Sequence, residues 1–150
     1  MWIKLGSWGS CLMDSSWNDS NLIDEGKGER DMETRGAILE FTYSEKMKSG
    51  LIIGTQLLTQ LESLNHGEEF SGGKKVLIWY LEGLLRETRI AMTVGGLDHF
   101  KELEQKVMEI IGRLQMSQLE KALRSFSEAI SLSTTSCQAS MSDLIAKKLI

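Results

Sequence analysis

Apolar residues recur at helical spacing through most of the chain after residue 36. In the clearest segment, residues 99–115, charged residues fill most positions between the apolar ones, which is typical of a helix with one buried face. Three or four positions separate the apolar residues of this segment: Phe100, Leu103, Val107, Ile110 and Leu114. The same kind of pattern predicts helices over residues 44–64 and 74–93.

The C-terminal part of the chain predicts one or two further helices. Ser117 with Glu120, and Thr135 with Gln138, match the capping-box pattern that begins many helices. We therefore expect a helix from residue 117, an interruption at Thr134, and a last helix from residue 135.

Glycines predict where the backbone turns or where helices approach each other. Gly95 and Gly96 follow the second predicted helix and are expected to supply the left-handed position that ends it. Gly50 and Gly54 lie on one helical face, which favours either a close helix–helix contact or a weak spot that bends. Residues 36–43 alternate in part, as a short strand would, but we interpret them as the beginning of a helix.

Helices joined by loops of only a few residues pack as antiparallel neighbours. We therefore expect an all-α fold, an antiparallel bundle of four to five helices with a poorly regular N-terminal arm. The change in sequence pattern places the irregular arm at residues 1–35 and the helical bundle at residues 36–150. Within the bundle, residues 76–81 are apolar on every side, which predicts a buried helix with Trp79 in the core.

The predicted arm combines a polar, acidic sequence with Trp2, Trp8 and Trp17. Because an indole can bury about 150–250 Å² of surface, we expect these side chains to bind something. The bundle itself, a second copy and an outside partner all remain open. We interpret the three tryptophans as candidate partner-binding residues.

The formal net charge is −4, from 17 basic and 21 acidic residues. Proteins that bind duplex nucleic acid usually carry a basic balance, because neutralising phosphates supplies much of their affinity. The charge therefore excludes no partner but does not favour nucleic acid. An alternative is that folding gathers basic residues into one groove for a nucleic-acid backbone. The candidates for that groove are Arg86, Arg89, Lys106, Arg113 and Arg124.

Residues that usually carry catalysis are scarce. His66 lies in a predicted turn and His99 in the first turn of a helix, and neither has the spacing of a metal site or an acid–base pair. Cys11 and Cys137 are expected to be free thiols, because no secretory signal is evident. Cys137 shares a helical face with apolar residues and is interpreted as a buried structural thiol. We therefore expect no catalytic residue, no metal and no cofactor, and we favour a protein that is not an enzyme.

These observations favour a non-catalytic helical interaction or assembly module that associates with itself or with a protein partner in a larger complex. The alternative is an accessory helical subunit of a nucleic-acid-containing assembly. No apolar run approaches the roughly 20 residues that a spanning helix needs. We therefore expect a soluble, cytoplasmic protein that does not bind membranes.

Overall fold

The computed structural model describes the backbone of residues 16–64, 67–98 and 100–150, and side chains from Glu33 onward within these ranges. The described residues form four helices and contain no strand. This result confirms the predicted all-α bundle. The helices are α1 (Ser16–Glu62), α2 (Glu68–Gly95), α3 (Phe100–Gln115) and α4 (Leu119–Ala146).

Side-chain contacts show which helices are neighbours. Each helix contacts the next along the chain, and α1 also contacts α4. For α1 with α2, α3 with α4, and α1 with α4, two contacts run in opposite directions along the pair, so these neighbours are antiparallel. The pairs are Lys46–Glu87 and Gly50–Tyr80 for α1 and α2, Arg89–Glu104 for α2 and α3, Lys106–Glu128 and Glu109–Ser125 for α3 and α4, and Ser44–Ser136 and Gly54–Phe126 for α1 and α4.

The core lies between the inward faces of the four helices. Phe100 and Phe126 are among its largest fully buried side chains, and buried leucines of α1, α2 and α3 belong to the same cluster. The buried cluster comprises Met47, Leu51, Leu58, Leu61, Phe70, Leu77, Leu81, Leu84, Ala91, Leu97, Phe100, Leu103, Val107, Ile110, Leu114, Ala122, Phe126 and Ala129. Every contact described here belongs to the unit Thr34–Ile150, one of two into which the chain divides.

Gly50 and Gly54 let α1 approach its two neighbours closely. A Cβ atom at Gly50 would lie 2.6 Å from a methyl carbon of Leu84, and one at Gly54 would lie 2.7 Å from the ring of Phe126. The Tyr80 hydroxyl donates a hydrogen bond to the Gly50 carbonyl at 2.8 Å, and burial raises the pKa of Tyr80. The close helix–helix contact is therefore confirmed.

Two helix starts that the sequence predicted are wrong. Helix α4 runs without a break through Thr134 and Thr135, because both hydroxyls donate to backbone carbonyls four residues earlier instead of capping a new helix. Ser117 lies outside α4 with a positive φ of 57°, and the N-cap position is Gln118, which makes no side-chain capping hydrogen bond. The bundle therefore has four helices in its described part, at the lower end of the predicted range.

Other boundaries differ from the sequence analysis in the same direction, towards longer helices. Residues 16–35 are helical rather than irregular, and residues 36–43 lie within α1. Helix α2 begins at Glu68, so the loop expected before residue 74 belongs to the helix. Gly96, with φ 63°, ends α2 in the left-handed conformation as predicted.

Candidate interaction surface

Trp79 lies on the outer face of α2 and is 65% exposed, so its predicted burial is wrong. The core side of α2 carries Leu77 and Leu81, each two positions from Trp79 and therefore on the opposite side of the helix. A helix in a four-helix bundle buries only one stripe of its surface. The apolar residues 76–81 supply part of that buried stripe, and the others among them, such as Trp79, lie on the solvent side of the helix.

The exposed apolar residues of α2 lie along one side of the helix, where Arg86 interrupts them. Val76, Trp79, Gly83 and Ile90 follow one another at spacings of three, four and seven, and Val94 continues the stripe one turn later. Val76 is 58% exposed and Val94 is 62% exposed. This spacing is typical of the seam of a coiled coil, in which apolar residues repeat every three and four positions.

The stripe continues across a groove onto α1. Leu57 of α1, Leu64 just beyond the end of α1, and Val76 of α2 line this groove, which has a volume of about 330 Å³. Gly73 lies in its floor, where a Cβ atom would be 2.9 Å from Leu61. We define the α1/α2 face as the exposed apolar residues on both sides of the groove and along the stripe: Ile53, Leu57, Leu64, Val76, Trp79, Ile90 and Val94.

Charged residues border the α1/α2 face. Lys46 on α1 forms an ion pair with Glu87 on α2 at 2.7 Å, beside the stripe. Arg89 forms an ion pair with Glu104 on α3 at 2.6 Å, on the other flank of α2. An apolar centre with a polar rim is the usual anatomy of a protein–protein interface.

The basic residues considered for binding a nucleic-acid backbone do not form a cluster that is free of carboxylate partners. Arg89 pairs with Glu104, as described above. Lys106 pairs with Glu128 at 2.5 Å and with Glu109 at 3.2 Å. Arg113 also pairs with Glu109, and the hydrogen bonds from Arg113 and Lys106 lower the pKa of that carboxyl. Arg86 and Arg124 have exposed side chains on α2 and α4.

Cys137 is a buried thiol, as the sequence predicted, and only 6% of it is exposed. Its sulfur donates a hydrogen bond to the Glu45 carboxylate at 2.8 Å, and Lys48 forms an ion pair with the same carboxylate. Burial, and then the hydrogen bond to Glu45, raise the pKa of the Cys137 thiol. The thiol is therefore held in its protonated form, which is not the nucleophilic one.

Several residues that the sequence analysis selected lie outside the description. They are Trp2, Trp8, Cys11, His66 and His99, together with the side chain of Trp17. Their roles therefore stay predictions.

No helix in the described residues combines the length and the apolar character that crossing a membrane requires. Among the same residues, no three metal-binding side chains come together as a site. No protein-family model, curated protein or solved structure matches this chain. The function must therefore be inferred from the surface of the molecule itself.

Proposed function

We propose that this protein is a non-catalytic helical assembly module and that the α1/α2 face is its interface with a second copy of the chain. The observation that carries the proposal is Trp79, which is 65% exposed within an apolar stripe. Burying an indole removes about 150 Å² or more from water, which stabilises a complex by on the order of 3 kcal/mol at each Trp79. Exposed aromatic anchors of this kind supply much of the binding energy at interfaces.

The spacing along α2 supports a second copy as the occupant. A two-fold interface uses the same surface on both chains, so the surface must complement itself. Positions 76, 79, 83, 86 and 90 alternate at three and four residues, as the seam of a coiled coil does. In an antiparallel pair, Trp79 of each copy lies opposite Ile90 of the other, and Gly83 lies opposite Arg86.

Gly83 and the charges beside it fit this arrangement. A Cβ atom at Gly83 would meet nothing within 4 Å, so the glycine serves no close contact within the described chain. Because Gly83 has no side chain, it leaves room for the aliphatic part of the Arg86 side chain of the other copy. The same pairing brings Glu82 of each copy next to Arg86 of the other, which places opposite charges together.

The mass of the full chain in solution tests this proposal, measured by light scattering after size exclusion at several micromolar concentrations. The native chain is expected to be a dimer, and Trp79→Ser is expected to be a monomer. Met116→Ser is the matched control, since Met116 is also 65% exposed but lies beyond the end of α3. A native chain that stays monomeric, or a Trp79→Ser dimer as tight as the native one, contradicts the proposal.

The tryptophans of the predicted arm offer a different occupant for the same face. If Trp2, Trp8 and Trp17 cover it within one chain, the native protein is monomeric and replacing all three by serine increases its mass. If the face binds a second copy, the triple variant keeps the native dimer unless the arm contributes to it. The same light-scattering measurement separates the two outcomes.

We do not propose the nucleic-acid alternative. Three of its five candidate residues, Arg89, Lys106 and Arg113, lie within ion-pair distance of carboxylates. A phosphate backbone would have to displace those carboxylates, and the overall charge of −4 opposes its approach.

A further inference from the structure

The groove of the α1/α2 face lies beside the N-terminal half of α2, with Val76 on one wall and Leu57 of α1 on the other. None of the described residues that line it is charged. Leu57 is 41% exposed and Val76 is 58% exposed, so both walls present apolar surface to solvent. An apolar side chain that entered the groove would remove this surface from water without burying a charge.

Val94, near the end of α2, lies on the same side of the helix as Val76. The two residues are 18 positions apart, which is five full turns and about 27 Å along the helix axis. Because Val76 borders the groove against α1, Val94 also lies on the α1 side of α2. Val94 is 62% exposed, and residues 90–97 include no charged residue. The end of α2 and the groove therefore both present apolar surface without charge.

The antiparallel pairing of two α2 helices brings these two features together. In that pairing Trp79 of one copy lies opposite Ile90 of the other, which places Val94 level with Lys75 and next to Val76 of the other copy. The two-fold axis is perpendicular to both helices, so the α1 sides of both copies lie on the same side of the interface. Val94 of each copy therefore reaches the mouth of the groove of the other.

Glycines at this level allow the two backbones to lie close together. Gly73 of one copy lies level with Gly96 of the other, and neither residue has a side chain to hold the helices apart. A Cβ atom at Gly73 would also lie 2.9 Å from Leu61 in the wall of the groove. A short side chain such as that of Val94 needs this close approach in order to enter the groove.

We propose that the α1/α2 groove is the binding site for Val94 of a second copy, an inference that rests on the proposed function. Each dimer then contains two such contacts, one at either end of the paired α2 helices. A slip of one heptad would move Val94 by about 10 Å along the helix and take it out of the groove. The two contacts therefore fix which residues of α2 face each other, a choice that the repeat along the stripe leaves open.

Disulfide formation between two singly substituted chains tests this contact in the full-length protein, with Cys11→Ser as the background. One chain carries Leu57→Cys and the other Val94→Cys, and mild oxidation of the mixture joins them across the dimer. Gln56→Cys replaces Leu57→Cys in the matched control, since Gln56 is also exposed but does not line the groove. We expect the Leu57→Cys mixture to react at least about tenfold faster, because a disulfide requires Cα atoms within about 7 Å.

The dissociation constant of the dimer gives a second measurement, which needs no new cysteine. Val94→Ser is expected to raise it about tenfold, because each dimer loses two buried valine side chains. Ile145→Ser is the control, since Ile145 is 55% exposed but lies on α4, away from the α1/α2 face. Circular dichroism of each variant establishes that it is folded.

The outcomes separate this inference from the proposed function. A native chain that is monomeric overturns both. A native dimer in which Leu57→Cys and Gln56→Cys react equally fast with Val94→Cys overturns this inference alone. A Val94→Ser dimer as tight as the Ile145→Ser dimer does the same, and both results leave the α1/α2 face as the interface.

Discussion

Helices α2 and α4 have the same length, 28 residues, but depart from the usual distribution of polar and apolar residues in opposite ways. Helix α2 carries apolar residues outside as well as inside, and Trp79 is part of its exposed stripe. Helix α4 buries polar residues inside, among them Ser125, Ser133 and Ser140. Helix α2 therefore exposes apolar surface to water, whereas α4 buries polar groups that need hydrogen-bond partners.

The two departures differ in where their compensation lies. A buried hydroxyl on a helix can donate to a carbonyl of its own helix, and Ser125 and Ser140 both do so. An exposed indole has no such local remedy, because only another surface can remove it from water. Most buried polar groups of α4 therefore have hydrogen-bond partners within the chain, whereas the exposed apolar side chains of α2 need another surface to bury them.

The largest effect that follows from this comparison concerns two aromatic residues. Phe126→Ala on α4 is expected to lower the free energy of unfolding by about 3–5 kcal/mol, because Phe126 is fully buried and its loss leaves a cavity. Trp79→Ala should cost less than about 1 kcal/mol at protein concentrations too low for association. Urea unfolding of both variants in that range measures the difference. A Trp79→Ala cost as large as that of Phe126→Ala would show that Trp79 supports the monomer.

A second prediction uses two glycines in helix interiors. Gly54→Ala should destabilise the protein by about 1–3 kcal/mol, because the added methyl group would overlap the ring of buried Phe126. Gly83→Ala should stabilise the monomer by about 0.5–1 kcal/mol, since nothing lies within 4 Å and alanine favours the helix. Thermal unfolding of both variants at concentrations too low for association is the measurement. Equal shifts of the same sign would contradict the close approach of α1 to α4.

The sequence predicts the all-α fold because the period of its apolar residues is a local property. The inward residues of α3, such as Val107 and Ile110, are correct for that reason. Helix boundaries are harder, because serine and threonine can either cap a helix or bond within one. Thr135 matched a capping pattern, yet its hydroxyl bonds inside α4. Local sequence does not distinguish these two uses.

The candidate surface was beyond prediction from the sequence for a different reason. Residues 76–81 are apolar around the whole helix, so their pattern does not show which side faces the core. The packing of α1 and α3 against α2 decides which side is buried. In the structure, Leu77 and Leu81 lie inward and Trp79 lies outward. The burial of Ser133, whose hydroxyl has no partner among the described residues, likewise depends on packing between helices. The trace that the stripe leaves in the sequence is the spacing of three, four and seven residues among Val76, Trp79, Gly83 and Ile90.

A smaller effect is the loss of stability in acid that arises from Glu109 on α3. Hydrogen bonds from Arg113 and Lys106 hold the pKa of Glu109 below its ordinary value of 4.5. A carboxyl with a lowered pKa in the folded state stabilises the protein above the unfolded pKa, and that contribution is lost as the pH falls through the folded value. Because about a third of the Glu109 side chain is exposed, we expect this contribution to stay below about 1 kcal/mol.

Glu109→Gln tests this expectation through urea unfolding at pH 7 and at a series of pH values below 4.5. The variant should be slightly less stable than the native chain at pH 7, and the difference should shrink as the pH falls. Glu62→Gln, which replaces an exposed carboxylate at the C-terminal end of α1, is the comparison variant and should change the acid dependence less than Glu109→Gln does. The prediction is contradicted if the stability difference between Glu109→Gln and the native chain grows as the pH falls.

The smallest effect is expected at Ser133, and it tests whether the polar interior of α4 has one exception. Ser133→Ala removes a buried hydroxyl without a partner among the described residues, so it should leave the stability of the protein unchanged or raise it by about 0.5 kcal/mol. Ser140→Ala removes a hydroxyl that donates to the carbonyls of Ser136 and Cys137, so it should cost about 1 kcal/mol. Urea unfolding of both variants measures the contrast. A loss at Ser133 as large as that at Ser140 would mean that an ordered water satisfies Ser133, and that its hydroxyl is no different from the others on α4.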